Sequence, residues 1–244
     1  MGLLVDGVWQ EEERGARCRD GRFERQPSRF RSWVTPDGSA GPSGEGGFRA
    51  EPGRYHLYVS HACPWAHRTV IFRKLKALED VISLSVVSPI VRREGWTFAK
   101  EEGSTGDPVN GASRLSEIYV LAEPRYTGRV SVPVLWDKAR RTIVNNESSE
   151  IIRMLNSAFD AFTDSKADFY PADLRAEIDV VNTHVYRAVN NGVYRVGFAT
   201  TQEAYEEAFL ELFDALDALE QRLSRQRYLV GNRVTEADWR LFTT

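Results

Sequence analysis

The sequence predicts an α/β domain followed by an all-helical domain. In the first half, short segments rich in β-branched and aromatic residues flank a helical pattern, which is typical of a βαβ unit. In the second half, apolar residues recur every three or four positions over long stretches, as they do in amphipathic helices that pack on one another. One pattern replaces the other near residues 159–171, where we place the domain boundary.

The composition excludes several classes of function. Of the 244 residues, 42% are apolar and 27% are charged, and 32 basic against 35 acidic side chains leave a net charge of −3. No apolar run approaches the roughly 18 residues of a membrane span, and the N-terminus has no secretory signal pattern, so we expect no membrane partner. The acidic balance argues against nucleic acid as a partner. Two cysteines are too few for a disulfide framework, which favours a reducing, cytoplasmic location.

Residues 1–53 are predicted to form an irregular N-terminal arm. Arginines between positions 17 and 31 are interleaved with aromatic residues, and a segment rich in glycine and proline follows. Such a segment either binds nucleic acid or wraps around the domain as an extended chain. The second interpretation is favoured, because glutamates and aspartates in the same segment offset much of the positive charge.

Residues 54–160 are predicted to form the α/β domain. Its elements follow the order strand, helix, strand, long insert, hairpin and helix, at 55–59, 64–78, 81–87, 88–129, 130–145 and 147–155. The helix between the first two strands favours a parallel pair. The insert contains a further short helix near 115–121, and connections of this length are usually functional or disordered.

Residues 170–244 are predicted to form the helical domain. Apolar spacing places helices over 174–189 and 205–223. Thr235 and Asp238 have the spacing of a capping box, so a third helix begins there. The chain stops two turns later, and a domain rarely ends so soon after a helix begins. We therefore interpret the sequence as a fragment with an incomplete helical domain.

The first candidate for chemistry is Cys63, at the junction of the first predicted strand and helix. Pro64 suits the first helical position, because its missing N–H would have no intrahelical acceptor there. Cys63 then occupies the N-cap, where free N–H groups and the helix dipole stabilise a thiolate and lower the pKa of the thiol. Ala66 stands where a resolving cysteine would be needed, so an external thiol must resolve any mixed disulfide. The alternative is a buried structural cysteine.

Pro133 lies inside the first predicted hairpin strand, where a proline cannot donate a ladder hydrogen bond. It is therefore expected at an edge, at a bulge or after a cis peptide bond. A cis bond would let Val132 offer its N–H and C=O groups to an extended peptide, and next to Cys63 this predicts a site for a thiol-containing peptide. A simple edge-strand proline is the alternative.

Other side chains have both a binding and a structural interpretation. Glu147 and Ser148 precede a predicted helix whose free N–H groups bind carboxylates, and Glu147 can accept from an α-amino group; the alternative is an ordinary N-cap. Trp96, on the insert, covers a ligand or packs against the domain. Tyr194 follows a helix end predicted at Gly192, and its phenol donates a proton, binds an oxygen or only packs. The four histidines have no metal-ligand spacing, so no metal is expected.

Seven segments are specific when they are taken together and in order: Ser60–Arg68, Gly95–Phe98, Tyr126–Asp137, Asn146–Ser148, Asn190–Tyr194, Gly197–Thr200 and Tyr228–Asn232. Through them the whole chain resembles the xi-class glutathione transferases, the glutathionyl-hydroquinone reductases. The resemblance implies a thioredoxin-like N-terminal domain and an all-α glutathione-transferase C-terminal domain, which is truncated here. It also implies a homodimer of the full-length protein, formed through the helical domain.

The resemblance also implies roles for individual residues. Cys63 is implied to be the nucleophile, and Tyr194 to donate and accept the proton. Glutathione is implied as a co-substrate, with no bound cofactor. The residues implied to hold it are Trp96, Arg129, Val130, Ser131, Val132, Glu147 and Ser148.

The leading hypothesis is the reduction of glutathionyl-hydroquinones to hydroquinones through a Cys63–glutathione mixed disulfide, which a second glutathione resolves. An alternative enzyme is a glutaredoxin-like or dehydroascorbate-reducing glutathione transferase, which uses the same thiol on an oxidised substrate. A third hypothesis is a glutathione-binding module without enzymatic activity.

Overall fold

A computed structural model describes residues 2–11 and 18–244. The chain forms two compact units. The first consists of Met1–Glu12 and Ser28–Ala167, and the second of Glu13–Pro27 and Asp168–Thr244. None of the helices in the described part of the chain combines the length and apolar character needed to cross a membrane.

The regular elements follow the predicted order, with additional short strands near the N-terminus. The strands are β1 (Gly2–Val5), β2 (Val8–Glu11), β3 (Cys18–Arg19), β4 (Arg22–Phe23), β5 (Tyr55–Val59), β6 (Ser83–Val86), β7 (Gly128–Arg129), β8 (Val134–Asp137) and β9 (Thr142–Asn145). The helices are α1 (Pro64–Leu75), α2 (Leu115–Ala122), α3 (Ser148–Ser157), α4 (Arg175–Val185), α5 (Gly192–Gly197), α6 (Gln202–Leu223) and α7 (Glu236–Phe242). A 3-10 turn covers Asp160–Phe162, and a π-helical turn covers Tyr186–Asn190.

A four-stranded sheet in the order β6-β5-β8-β9 is the centre of the first unit. β5 and β6 are parallel and α1 connects them, which confirms the predicted βαβ unit. β8 and β9 form the predicted antiparallel hairpin, and β8 pairs with β5. Every residue of β5 is buried, because the strand is paired on both edges and contacts α1, which packs against α3.

Two predicted boundaries shift where the local backbone ends an element. α1 stops at Leu75 rather than at residue 78, because Ala77 adopts a φ of 51°, in the left-handed region that a helix does not use. The first hairpin strand begins at Val134 rather than at residue 130, because Pro133 has no N–H to donate to the ladder.

The N-terminal segment is more regular than the sequence predicts. β1 and β2 form an antiparallel hairpin, and β1 also pairs with β7 in a three-stranded sheet. Leu3 lies opposite Arg129 and Leu4 opposite Gly128. The N-terminal strand is thereby attached to the chain just before Val130, in the segment that precedes Pro133.

Arginines of the N-terminal segment form ion pairs within each unit. The Arg31 Nε lies 2.8 Å from Glu150 Oε2 in the first unit, and the Arg22 Nε lies 2.9 Å from Glu207 Oε2 in the second. Arg17 lies outside the described residues. These ion pairs neutralise arginine side chains that a nucleic acid would otherwise contact. They therefore favour the interpretation that the N-terminal segment wraps around the protein as an extended chain.

The second unit consists of α4 to α7 with a short β3–β4 hairpin. α4 and the turn after it contribute Ile178, Val181, Val185 and Val189 to the buried core at the predicted spacing. α6 contributes Leu212, Ala215 and Leu219, whereas Tyr205, Phe213, Leu216 and Leu223 of its predicted apolar face are exposed. Leu229, Val230 and Ala237 also belong to this core. α7 begins with the predicted capping box, in which the Asp238 carboxylate accepts from the Thr235 N–H at 2.8 Å.

The helix end predicted at Gly192 is wrong. α4 continues into the π-helical turn, and α5 begins at Gly192 itself. The Asn191 N–H donates to the Tyr186 carbonyl at 2.8 Å, so the chain widens by one residue without leaving helical geometry. The buried side chain of Asn190 favours this turn, because its amide donates to the Arg240 carbonyl at 3.1 Å.

Asp238→Ala is expected to lower the free energy of unfolding by about 2 kcal/mol, because the carboxylate caps α7 and also accepts from the Leu229 N–H at 2.8 Å. Asp217→Ala, at an exposed position of α6, is the control and should change this free energy by less than about 0.5 kcal/mol. Urea unfolding followed by circular dichroism measures both variants. Equal effects would contradict the role of the cap.

His56 on β5 is a buried titratable group in the sheet. Its Nδ1 lies 2.7 Å from the Ser83 Oγ, while its Nε2 is buried without a hydrogen-bond partner among the described residues. Burial removes the ring from water and lowers the pKa of His56 to about 4, so the ring is neutral at pH 7.

The pKa of His56 predicts acid destabilisation. Below pH 6.5 the unfolded chain takes up a proton that the folded chain does not accept until about pH 4, so the free energy of unfolding falls through this window by up to about 3 kcal/mol. His56→Gln should remove this part of the pH dependence. His184→Gln, at an exposed position, should retain it. Urea unfolding between pH 6.5 and pH 4 tests this, and identical slopes in both variants would count against it.

Candidate active site

Cys63 follows β5 and caps α1. Its backbone has φ −108° and ψ 114°, Pro64 occupies the first helical position, and the Cys63 carbonyl accepts from the His67 N–H at 3.0 Å. The predicted N-cap position is therefore confirmed. The cysteine side chain is half-buried, which differs from the fully buried structural cysteine of the alternative interpretation.

The antiparallel pairing of β5 with β8 brings a second segment to the sulfur. Tyr58 lies opposite Val134, so residues that follow β5 meet residues that precede β8. The Cys63 Sγ lies 3.6 Å from the Val132 carbonyl oxygen. The Val132–Pro133 peptide bond is cis, which is one of the three arrangements expected for this proline. The cysteine at the helix start and the segment before the proline, which are far apart in the sequence, therefore lie side by side.

Tyrosine hydroxyls hold the peptide groups just before Val132. Tyr126 donates to the Arg129 carbonyl at 3.0 Å, and Tyr119 donates to the Ser131 carbonyl at 2.8 Å. No hydrogen bond joins the Val132 N–H to another described residue. The backbone of Val132 is thus suited to pair with an extended peptide next to the cysteine.

Glu147 is the N-cap of α3. Its carboxylate accepts from the Ser149 N–H at 3.2 Å and from the Ser149 hydroxyl at 3.0 Å, and its other oxygen accepts from the Ser28 hydroxyl at 3.1 Å. The structural interpretation of this residue is therefore realised. Each carboxylate oxygen has more than one acceptor direction, so the cap leaves acceptor capacity for a ligand amine.

Ser148 is the first residue of α3 and is almost fully buried, with an exposed fraction of 2%. Its hydroxyl has no hydrogen-bond partner among the described residues. A buried hydroxyl without a partner costs about 1–3 kcal/mol, and native structures contain few of them. At a helix N-terminus, whose dipole favours negative charge, such a hydroxyl is suited to a carboxylate ligand.

The other residues of the first unit that are predicted to bind glutathione lie on or next to the segments that connect its main strands and helices. Trp96 is half-buried on the insert, and its carbonyl accepts from the Leu115 N–H at 2.9 Å at the start of α2. Arg129 ends β7, and Val130 and Ser131 follow it, all three half-buried. Contact of these side chains with a ligand stays a prediction.

Tyr194 belongs to the second unit and lies on α5. Its ring stacks on Phe23 and Phe198, with centroids 6.2 Å and 6.1 Å away. The Arg25 guanidinium lies 4.3 Å from the centre of the same ring, and its Nε donates to the Asn191 amide oxygen at 2.7 Å. A cation at this distance stabilises the ring by a cation–π interaction. The role of Tyr194 in proton transfer stays a prediction.

Sequence reasoning missed two residues of this site. Tyr119 has the spacing of an ordinary core residue of α2, yet its hydroxyl holds Ser131. Ser28 lies in the N-terminal segment, yet it contacts Glu147, 119 positions away. No local pattern marks either residue, because each acts across segments that only the fold brings together.

The first unit has βαβ-ββα topology, with a cysteine at the start of its first helix and a cis-proline beside that cysteine. A helical unit follows it in the chain. Together these features define the glutathione transferase class. Comparison with protein families agrees with this class. The glutathione S-transferase N-terminal domain matches residues 62–158, and the glutathione S-transferase C-terminal domain matches residues 202–244.

Comparison with individual proteins identifies the subgroup of glutathione transferases that this chain resembles in sequence. The chain is 55% identical over 245 aligned residues to glutathionyl-hydroquinone reductase YqjG of Escherichia coli and 53% identical to glutathionyl-hydroquinone reductase PcpF of Sphingobium chlorophenolicum. Each match covers 100% of this chain and 75% of the relative. The glutathione-bound structure of YqjG has a TM-score of 0.90 at 53% identity, with 100% of this chain and 73% of that chain covered.

A second solved structure, the xi glutathione S-transferase from Phanerochaete chrysosporium, has a TM-score of 0.87 at 53% identity, and the match covers 92% of this chain and 71% of that chain. The chain belongs to the xi class of glutathione transferases, the family of the glutathionyl-hydroquinone reductases.

Proposed function

We propose that this protein reduces glutathionyl-hydroquinones to hydroquinones, with glutathione as co-substrate. The observation that carries the proposal is the position of Cys63, half-buried at the N-cap of α1 and 3.6 Å from the Val132 carbonyl oxygen. A thiol at a helix N-terminus favours the thiolate, which is the nucleophilic form. The similarity to two glutathionyl-hydroquinone reductases supports the substrate class.

In this proposal, the glutathionyl part of the substrate lies along the Val132 segment. The backbone of Val132 pairs with the peptide, as an extended chain pairs with a strand edge. A glutathione carboxylate binds the Ser148 hydroxyl at the N-terminus of α3, and the α-amino group binds Glu147. Trp96, Arg129, Val130 and Ser131 complete the binding residues.

The first step forms a mixed disulfide. The Cys63 thiolate attacks the glutathione sulfur, so a sulfur–sulfur bond forms and the bond from that sulfur to the ring carbon breaks. The ring carbon keeps the electron pair and takes a proton, for which Tyr194 is the proposed donor. The hydroquinone leaves, and the enzyme holds one glutathione on Cys63.

The second step restores the thiolate. A second glutathione, as its thiolate, attacks the mixed disulfide and leaves as oxidised glutathione. The ring carbon of the conjugate is reduced, and the glutathionyl sulfur of the conjugate joins the sulfur of one free glutathione in the disulfide, so electrons balance without another cofactor. Ala66 in place of a second cysteine supports an external thiol as the resolving group.

We also propose a cytoplasmic location and a homodimer for the full-length protein. The low number of cysteines supports a reducing compartment. Exposed apolar side chains on α6, among them Leu210 and Phe213, support association through the helical unit.

A glutathione adduct on Cys63 is the expected product when the protein is exposed to a glutathionyl-hydroquinone without free glutathione. Mass spectrometry should find one adduct in the wild type and in Cys18→Ser, and none in Cys63→Ser. The pH dependence of Cys63 alkylation should give a thiol pKa below the usual value of about 8.5.

Three outcomes would contradict the proposal. They are an adduct on Cys18 instead of Cys63, undiminished turnover by Cys63→Ser, and turnover of dehydroascorbate without turnover of the conjugate. The last result would favour the dehydroascorbate-reducing alternative. An unperturbed Cys63 thiol together with glutathione binding but no turnover would favour the module without enzymatic activity.

Ser148→Ala is expected to weaken glutathione binding about tenfold, because the ligand carboxylate loses a hydrogen-bond donor. The same change should leave the free energy of unfolding unchanged or raise it by up to about 1 kcal/mol, because it removes a buried hydroxyl without a partner. Calorimetric titration with glutathione and urea unfolding measure the two quantities. Ser157→Ala, at an exposed position of the same helix, is the control and should not change glutathione binding.

A further inference from the structure

We propose that Tyr119 is a positioning residue for glutathione. Its hydroxyl joins the segment of Ser131 and Val132 to Asn146, next to the start of α3, and so sets the distance between the two halves of the proposed binding site. This inference rests on the proposed function.

The hydroxyl of Tyr119 uses its full hydrogen-bonding capacity. It donates to the Ser131 carbonyl at 2.8 Å and accepts from the Ser131 N–H at 3.2 Å and from the Asn146 side-chain amide at 3.1 Å. A hydroxyl has one proton to donate and two lone pairs to accept with, so these three bonds satisfy it. Both backbone polar groups of Ser131, the residue directly before Val132, therefore depend on one oxygen.

The ring of Tyr119 is held in an apolar cluster. The side chain is fully buried on α2, with the Tyr126 ring centre at 5.1 Å and the Phe30 ring centre at 5.8 Å. Burial raises the pKa of Tyr119, so the phenol keeps its proton as a donor. A rigid ring in a packed cluster fixes the position of its hydroxyl more precisely than a mobile surface side chain would.

Asn146 is held independently of Tyr119. Its N–H donates to the Phe30 carbonyl at 3.1 Å, and its side-chain oxygen accepts from the Phe30 N–H at 3.2 Å. Because Glu147 and Ser148 follow directly, a fixed Asn146 also fixes the start of α3. Tyr119 therefore connects Val132, at the cysteine end of the proposed site, with Ser148, at the carboxylate end.

This connection matters because glutathione has to contact both ends in one bound conformation. A site whose two halves are already at the correct separation binds without first ordering itself, and this lowers the free-energy cost of association. Loss of the Tyr119 hydroxyl leaves the two backbone groups of Ser131 and the buried Asn146 amide without this partner, so Ser131 and Val132 are held less firmly relative to α3.

A purely structural role for Tyr119 predicts a different result, and Tyr55 provides the matched control. Tyr55 is also fully buried, lies on β5, and donates its hydroxyl to the Arg49 carbonyl at 2.6 Å. Tyr55→Phe removes a buried hydroxyl of the same chemistry without removing a bond to Ser131 or Asn146. A structural role predicts that both variants lose stability and that neither loses glutathione affinity.

The experiment compares Tyr119→Phe with Tyr55→Phe in glutathione titration and in steady-state turnover of a glutathionyl-hydroquinone. Tyr119→Phe should raise the Kd for glutathione and the KM for the conjugate about tenfold, with kcat within about twofold of the wild type. Tyr55→Phe should leave the Kd and the KM within about twofold. Equal affinities of wild type and Tyr119→Phe, in a wild type that turns over the conjugate, would overturn the inference and leave the proposed function intact.

A wild type that neither binds glutathione nor turns over the conjugate would remove the proposed function and the inference with it. Asn146→Ala provides a second variant if Tyr119→Phe fails to fold, because it breaks the same connection from its other end. It should weaken glutathione binding about fivefold, and the effect of the double variant should be smaller than the product of the two single effects, because both changes break the same connection. An Asn146→Ala protein with unchanged affinity would overturn the inference.

Discussion

The approach of the Val132 carbonyl to the Cys63 sulfur is the contact on which the candidate site depends. It follows from a constraint of the sheet, since antiparallel pairing of β5 and β8 places the end of one strand beside the beginning of the other. The helix that begins after β5 supplies the electrostatic environment for a thiolate. The chain that leads into β8 supplies a backbone edge for a peptide. One pairing register therefore assembles both the nucleophile and the place where its substrate is expected to lie.

The first unit treats its buried polar groups in two ways. Some are satisfied, as at Asp137, whose carboxylate accepts from the Arg54 guanidinium at 3.0 Å and from the Ala139 N–H at 2.9 Å, whereas the His56 Nε2 and the Ser85 hydroxyl in the sheet have no partner among the described residues. Beside the candidate site, the Ser148 hydroxyl and the Val132 N–H have no such partner in the described part of the chain. Because burying a polar group without a hydrogen bond is costly, a ligand that supplies the missing partners at the candidate site would gain binding free energy there.

The chemistry of the proposed reaction divides between the protein and its co-substrate. The protein contributes one sulfur, a helix terminus and a preorganised peptide edge, whereas glutathione contributes the second thiol that completes the reduction. A site with two cysteines could close its own disulfide and would not need that second thiol. In the second unit the Tyr194 ring packs against the Arg25 guanidinium and beside two aromatic rings, so contacts within that unit orient its phenol.

The sequence by itself determined the features whose signals lie within a few residues of each other. Pro64 after Cys63 identified the helix start, Thr235 and Asp238 identified the capping box of α7, and the alternating and helical patterns identified the βαβ unit and the long helices. These features depend on local backbone geometry and side-chain spacing, which a single segment carries.

Only the tertiary structure decided which of these segments meet. The contact of Cys63 with Val132 spans 69 positions, and the hydroxyl of Tyr119 reaches Asn146 across 27. The pairing of β1 with β7 and the helical passage through Gly192 were equally absent from the local pattern. Such contacts depend on strand register and on packing between remote segments. The local spacing of residues does not specify either of these, because the same spacing is compatible with many registers and packing arrangements.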